Sequence, residues 1–290
     1  VKDMSTPEGI NVKAAEKIKK ATDIPVLVAQ RIKDPDMAEM ILADGSADLV
    51  GMARALIADP YWPAKVKNDQ ISDIIPCIGC NQECRAFDPY LHCVVNPVTG
   101  REERWSELEK SDQPKKLAVV GGGVAGMEAA RIAALRGHQV VLFEQSDTLG
   151  GQINLAVKDP NRKELKKFVD FLENQLRKLG VEIKLETKAS VENLKEFDEI
   201  ILATGAKPIP ISAHLKERSR IEVKTIFDIL QSKYSTNNGT AIIVDDGRGF
   251  WPGFSVAEIL SDAGMKVIYT TASTSRAAWP WLAVVLRPWM

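Results

Sequence analysis

The chain has 290 residues, 45% of them hydrophobic, and a formal net charge of −1. That length supports two domains with their own cores, and the balanced charge excludes the basic surplus of a nucleic-acid binder and the charge block of a disordered tail. Val1-Lys-Asp-Met-Ser-Thr-Pro7 has no apolar signal core and no run is long enough to span a bilayer, so a protein without membrane association, cytoplasmic in location, is expected.

Residues 1–66 read as helix, strand, helix, strand, helix. Residues 11–21 are helical, and Pro25-Val-Leu-Val-Ala29 is a short apolar run of the kind that forms a buried parallel strand. Asp34-Pro35 opens a second helix, expected to carry Met37, Met40 and Ile41 inward and to stop near Gly45. Asp48-Leu-Val-Gly51 is a further strand. Such alternation predicts a parallel sheet, but two strands make neither a barrel nor a complete doubly wound sheet.

All four cysteines fall in the next segment, residues 67–112: Cys77-Ile-Gly-Cys80-Asn-Gln-Glu-Cys84, then Cys93. A polar linker follows over residues 99–113. The spacing C-x2-C-x3-C-x8-C suits four thiolates around an iron–sulfur cube, with Pro76, Gly79 and Pro97 supplying turns. Structural zinc is the main rival, although zinc ribbons carry two C-x2-C knuckles and this chain has one. A redox disulfide leaves two cysteines unexplained. Clustering at ligand spacing fits a reducing compartment better than a disulfide framework.

Residues 113–239 open with the apolar strand Leu117-Ala-Val-Val120 and the turn Gly121-Gly-Gly123-Val-Ala-Gly126. A helix follows over 126–136 and ends at Gly137, and the strand Gln139-Val-Val-Leu-Phe143 runs into Glu144. G-x-G-x-x-G alone is weak, but between strand and helix, with an acid closing the second strand, it reads as a dinucleotide cradle. Gly121 permits the tight turn, Gly123 admits a pyrophosphate, and Gly126 lets helix and strand pack closely. The helix N-terminus faces the phosphates, and Glu144 can accept from ribose hydroxyls, which favours FAD or NAD over NADP. Residues 163–179 form an amphipathic helix with Leu165, Phe168, Val169, Leu172, Leu176 and Leu179 on its core face and Gly180 as its stop.

Residues 240–290 partly repeat that unit. Ala241-Ile-Ile-Val244 matches the strand 124 residues earlier, and Gly264-Met-Lys-Val-Ile matches Gly137-His-Gln-Val-Val 127 residues earlier. In the second turn Asp245 stands where the first glycine would be, followed by Asp246, Gly247, Gly249 and Gly253. Carboxylates at a pyrophosphate position are unfavourable, so this unit is either a packing relic or binds a nucleotide differently. The end holds Trp279, Trp281 and Trp289 without helical or strand period, and suggests a fragment with an atypical tail.

Val50-Gly-Met-Ala-Arg54-Ala-Leu-Ile-Ala-Asp-Pro60, Cys77-Ile-Gly-Cys80-Asn-Gln, Val95-Asn-Pro97, the glycine turn and Leu149-Gly-Gly151-Gln152 occur here in one order. In this the chain resembles the multidomain NADH:flavin oxidoreductases, which include 2,4-dienoyl-CoA reductase, trimethylamine dehydrogenase and Old Yellow Enzyme-type ene-reductases. The resemblance covers about residues 10–270. It implies an α/β chain made of the C-terminal part of a TIM barrel, a [4Fe-4S] cysteine loop, and a Rossmann-like FAD domain with a truncated second dinucleotide-binding unit. It implies FMN-phosphate positions at Gln30, Arg31, Ala53 and Arg54, and cluster ligands at Cys77, Cys80, Cys84 and Cys93. FAD positions are implied at Gly121, Gly123, Ala125, Gly126, Glu144, Gly151, Gln152, Arg162, Ala189, Thr204 and Gly205.

The function so implied is electron passage between a nicotinamide, NAD(P)H, and an enoate or enoyl thioester through FAD, the cluster and FMN. The alternatives are an amine dehydrogenase donating electrons to a carrier protein, and a non-catalytic electron-transfer fragment. Three departures stand out. The gap between Cys84 and Cys93 is short for the family, the second glycine turn is degenerate, and the first six barrel strands, with the catalytic acid, are not in this sequence, so catalytic residues stay unassigned.

Overall fold

The computed structural model describes residues 2–85, 90–105, 107–207, 222–231, 239–245 and 251–271. The tryptophan-bearing end and Asp246, Gly247 and Gly249 of the second turn lie outside them. Two compact units emerge: Val1–Val157 with Arg162–Ala206, and Lys158–Asn161 with Lys207–Met290.

The first unit begins with α1 (Val12–Lys19), β1 (Leu27–Ala29), α2 (Pro35–Ala43), β2 (Leu49–Gly51), α3 (Arg54–Ala58) and α4 (Trp62–Lys67). β1 and β2 pair in parallel, with Val28 opposite Val50. Val28 turns into a core with Ala15, Ile32, Ala38, Ile41 and Ala47, while Leu27 and Leu49, opposite each other in register, stand 57% and 54% exposed on the other face. Asp34 caps α2 by accepting from the Met37 N–H, as Asp-Pro at a helix start predicts. Met40 departs from expectation: it is 56% exposed. Ala38 and Ile41 already fill the face toward the sheet, and a nine-residue helix has room for one narrow buried stripe.

After the cysteine segment come β3 (Lys116–Val120), α5 (Val124–Leu135), β4 (Gln139–Phe143), α6 (Leu165–Lys178), β5 (Glu182–Lys184) and β6 (Glu199–Leu202). The four strands form a parallel sheet in the order β5-β4-β3-β6. Chain order reverses at β3, so the crevice beyond the carboxyl ends of β3 and β6 is the switch point where such sheets bind ligands. Leu117, Val119, Val140 and Leu142 pack on Met127, Ala130 and Ala133 of α5 and on Phe168, Val169, Leu172 and Leu176 of α6. Phe171, outside the expected stripe, is also buried and stacks on Phe168 at 6.0 Å.

In the second unit β7 (Thr240–Val244) and β8 (Lys266–Thr270) pair in parallel. α7 (Ile226–Leu230) and α8 (Trp251–Asp262) supply its small core around Ile243, Val256 and Leu260. Among the described residues no helix is long and apolar enough to cross a membrane.

Candidate functional site: a cysteine cavity and a glycine cradle

A cysteine cavity and a glycine turn both lie in the first unit, and each grows from local backbone. β1 ends in two residues at positive φ, Gln30 (98°) and Arg31 (61°), a conformation that costs a non-glycine residue roughly 1–3 kcal/mol and marks a constrained turn. β2 runs into α3, with Ala53 as its N-cap and Arg54 as its first residue. Arg54 donates to Asn81 Oδ1 at 2.7 Å and so reaches the cysteine loop.

That loop closes on itself and on α3. Cys77, Cys80, Cys84 and Cys93 line one small cavity, together with Arg54, Ile57, Ile78, Asn81, Val94 and Val95. Gly79 (φ +65°) and Asn81 (φ +56°) turn the backbone between the first three thiols. Asn96 anchors the returning segment: its amide donates to Ala58 O at 3.0 Å while its Oδ1 accepts from Val98 N. Thr99 donates to Ile57 O, and it is buried, so the segment read as a linker starts as a docked turn. Asp59 is almost fully buried and accepts from Tyr61 N, Ile75 N and Lys65 Nζ, which pins the entry of the cysteine loop.

Burial pushes the thiols up: Cys80 to about 12, with Cys84 and Cys93 raised as well. Cys80, Cys84 and Cys93 would thus face the cavity as protonated thiols unless a bound positive centre compensates their thiolates. No three His, Cys, Asp or Glu side chains among the described residues converge closely enough to hold one metal ion.

Arg31, expected at an FMN phosphate, is buried. Its guanidinium forks onto the Glu164 carboxylate and its Nε donates to Thr6 O at 3.0 Å, so the three nitrogens that would grip a phosphate are engaged inside the protein. Lys33 joins the same carboxylate and donates to Cys77 O at 2.8 Å. Burial raises Glu164, but Arg31 and Lys33 more than offset it and hold the carboxyl below the ordinary glutamate range. Sequence reasoning passed over Lys33 and Glu164, since 131 positions separate them.

The glycine turn between β3 and α5 has the close backbone approach its spacing predicts. Gly121 sits at φ +113°, and a Cβ there would lie 2.3 Å from Ala203 O. A Cβ on Gly126 would lie 1.9 Å from Gly121 O, so helix and turn touch backbone to backbone. A Cβ on Gly123 would meet nothing within 4 Å: it would project into open space at the head of α5. Ala125, Gly151, Gln152, Thr204 and Gly205 are exposed around this edge, with Gly150 N bonded to Gly122 O and Gln152 donating to Ala206 O. Glu144 closes β4, buried, and accepts from Gly122 N at 2.6 Å and Ser146 N at 2.8 Å. Arg162 is buried, and Ala189 packs against Ala118, Val141 and Phe143.

The second unit reverses these polarities. Asp245 replaces the first glycine, and its carboxylate accepts from Thr271 Oγ1 at 3.0 Å, where the first unit has a carboxylate at the end of its second strand. Gly253 lies inside α8, where a Cβ would come 2.7 Å from Tyr269 Oη, so its smallness serves the Phe254–Tyr269 stack.

Residues 3–73 match the NADH:flavin oxidoreductase / NADH oxidase family and residues 100–195 match the pyridine nucleotide-disulphide oxidoreductases. Over the part it spans, the chain belongs to the NADH:flavin oxidoreductase family. It is 41% identical over 266 residues to an NADH oxidase of Thermoanaerobacter brockii, covering 90% of this chain and 41% of that protein. A solved 2-naphthoyl-CoA reductase complex aligns with a TM-score of 0.80 at 34% identity, over 92% of this chain and 41% of that one. A 6-hydroxypseudooxynicotine amine oxidase from Pseudomonas geniculata N1 aligns with a TM-score of 0.86 at 29% identity, over 98% and 45%. The chain thus spans about two-fifths of the length of these relatives. Its α/β architecture agrees with these two family matches over residues 3–73 and 100–195.

Proposed function

We propose that this chain is the central part of an iron–sulfur flavoprotein oxidoreductase. It would pass electrons between a nicotinamide and an enoate or enoyl-type substrate through FAD, a [4Fe-4S] cluster and FMN. The observation that carries this is the shared cavity of Cys77, Cys80, Cys84 and Cys93, with Arg54 of the flavin-side helix in its wall. Residues 1–66 would be the last quarter of an FMN-binding barrel, and 67–112 the cluster loop. Residues 113–239 would bind FAD, and 240–290 would be the shortened second unit. The exposed, register-matched Leu27 and Leu49 suit strands whose second face belongs inside a barrel.

The residues fit their groups unequally. The open space at Gly123 and the exposed edge around Ala125, Gly151, Gln152, Thr204 and Gly205 would admit the FAD pyrophosphate, with Glu144 beside the ribose. Arg54 keeps part of its fork for an FMN phosphate, whereas Gln30 and Arg31 would contribute the backbone of their turn rather than a guanidinium. When bound, FAD and FMN supply hydride chemistry and the cluster supplies single-electron transfer. The chain's own part is to hold these groups in place and to keep water from the cavity.

The amine-dehydrogenase reading, with electrons leaving to a carrier protein, is supported by Asp245, which stands in the sequence where the first unit has Gly121 and whose carboxylate accepts from Thr271 Oγ1. NADH oxidation with an enoyl thioester, against amine-driven reduction of a carrier, separates the two. The first test is the anaerobically purified chain. Four iron, four sulfide and bound FAD per chain support the relay, and zinc or a colourless flavin-free protein refutes it.

A further inference from the structure

The cysteine loop is built against a buried charge cluster that the proposed relay does not by itself require. Arg31 and Lys33 leave the turn after β1 and meet Glu164, which directly precedes α6 on the flavin side. The side chains are 2%, 8% and 13% exposed, so water screens none of them well. Lys33 Nζ also donates to the Cys77 carbonyl, and Glu8 lies 3.4 Å from it. Gly79, between the first two thiols, lies so close that a Cβ would come 2.5 Å from Arg31 Nη1 and 3.1 Å from a Glu164 oxygen. The turn that presents Cys77 and Cys80 is therefore moulded on these ions.

A charge that holds a ligand turn from a low-dielectric site acts on the electron that arrives there. Cluster potentials follow local net charge, hydrogen bonding and solvent exposure. An ammonium bonded to the carbonyl of a ligand residue favours the reduced, more negative state, and a nearby carboxylate disfavours it. Four separate elements converge here: the β1 turn, the N-terminal segment through Thr6 and Glu8, the cysteine loop, and the residue before α6. A purely mechanical clamp would need opposite charges, but not their placement on the ligand backbone.

We infer that Lys33 is a positioning residue for the cluster, and that with Arg31 and Glu164 it sets the potential at which the Cys77–Cys93 site accepts an electron. The inference rests on the relay reading above. Its test is a mediated redox titration of the anaerobically purified 290-residue chain, followed by visible absorbance and EPR, for wild type, K33M, E164Q and the double variant. K33M should shift the midpoint to more negative potential and E164Q to more positive, with the double variant near wild type. Midpoints that do not move, or that move in the same direction in both single variants, overturn the inference. If K33M loses its cluster, E164Q and K33R decide it: a raised midpoint in E164Q with K33R near wild type supports it, and an unmoved E164Q overturns it. Wild-type chain lacking iron and sulfide overturns the relay reading and this inference together, whereas a wild-type cluster with unmoved variants overturns this inference alone.

Discussion

Replacing Gly126 by alanine, and separately Gly123 by alanine, separates the packing of the glycine turn from its use as a cradle. At Gly126 the new methyl would come 1.9 Å from the carbonyl oxygen of Gly121 and 3.3 Å from the Ala203 Cβ. Both belong to the packed turn and the β6 end, which cannot swing aside as a side-chain tip can. Overpacking of this kind costs about 3 kcal/mol, at the upper end of its usual range. For a unit of this size that is a fall of roughly 6–12 °C in Tm. At Gly123 the backbone is at φ −74°, which alanine adopts freely, and nothing lies within 4 Å of the new methyl. Reduced freedom in the unfolded chain and a poorer N-cap nearly cancel, leaving stability within about 0.5 kcal/mol. The methyl does occupy the space a pyrophosphate needs. Loss of one charge-assisted contact, about 2 kcal/mol, weakens FAD roughly 30-fold. Circular-dichroism melts and fluorescence titration of flavin-stripped protein read the two effects independently. If G123A melts as early as G126A, or binds FAD like wild type, the cradle is not where the structure puts it.

Asp59→Ala should cost about 3 kcal/mol, because it removes the carboxylate paired with Lys65, which keeps only the Asp73 carbonyl, and leaves two part-buried backbone N–H groups unpaired; an unchanged urea midpoint would count against that role. Glu164 is held low by Arg31 and Lys33 despite burial, and Asp73 is held low chiefly by its Lys178 hydrogen bond. Both are depressed in the folded chain, so the unfolded chain binds more protons as the pH falls. Their stabilisation is complete above the ordinary carboxylate range and is lost as pH drops below about 4. Urea midpoints measured from pH 7 downward should fall less steeply in E164Q than in wild type, and parallel curves would refute the assignment.

How much could be read in advance depended on how far apart the cooperating residues lie. The strand–glycine turn–helix of residues 116–135 was legible because its geometry is satisfied by consecutive residues: Gly121, Gly123 and Gly126 each answer a local steric demand. The stripe of α6 and the four clustered thiols were legible for the same reason, being periodicity and spacing along one segment. Met40 was misplaced because periodicity names a face, while burial depends on what packs against it.

Arg31 shows the limit most clearly. The family resemblance set it at a phosphate position, and in the fold its fork closes on Glu164, 133 residues away. Nothing in the sequence distinguishes Glu164 from the many other carboxylates of the chain. Asp59, Asn96 and Thr99 likewise look like ordinary polar residues until the chain brings the α3 region and the cysteine loop together. The sequence alone therefore determined the local frames, the cradle and the set of thiols, because backbone sterics and ligand spacing act over a few residues. Only the tertiary structure decided which charges are buried together and what stands behind the cysteine loop, because desolvation and ion pairing are properties of assembled surfaces rather than of the chain.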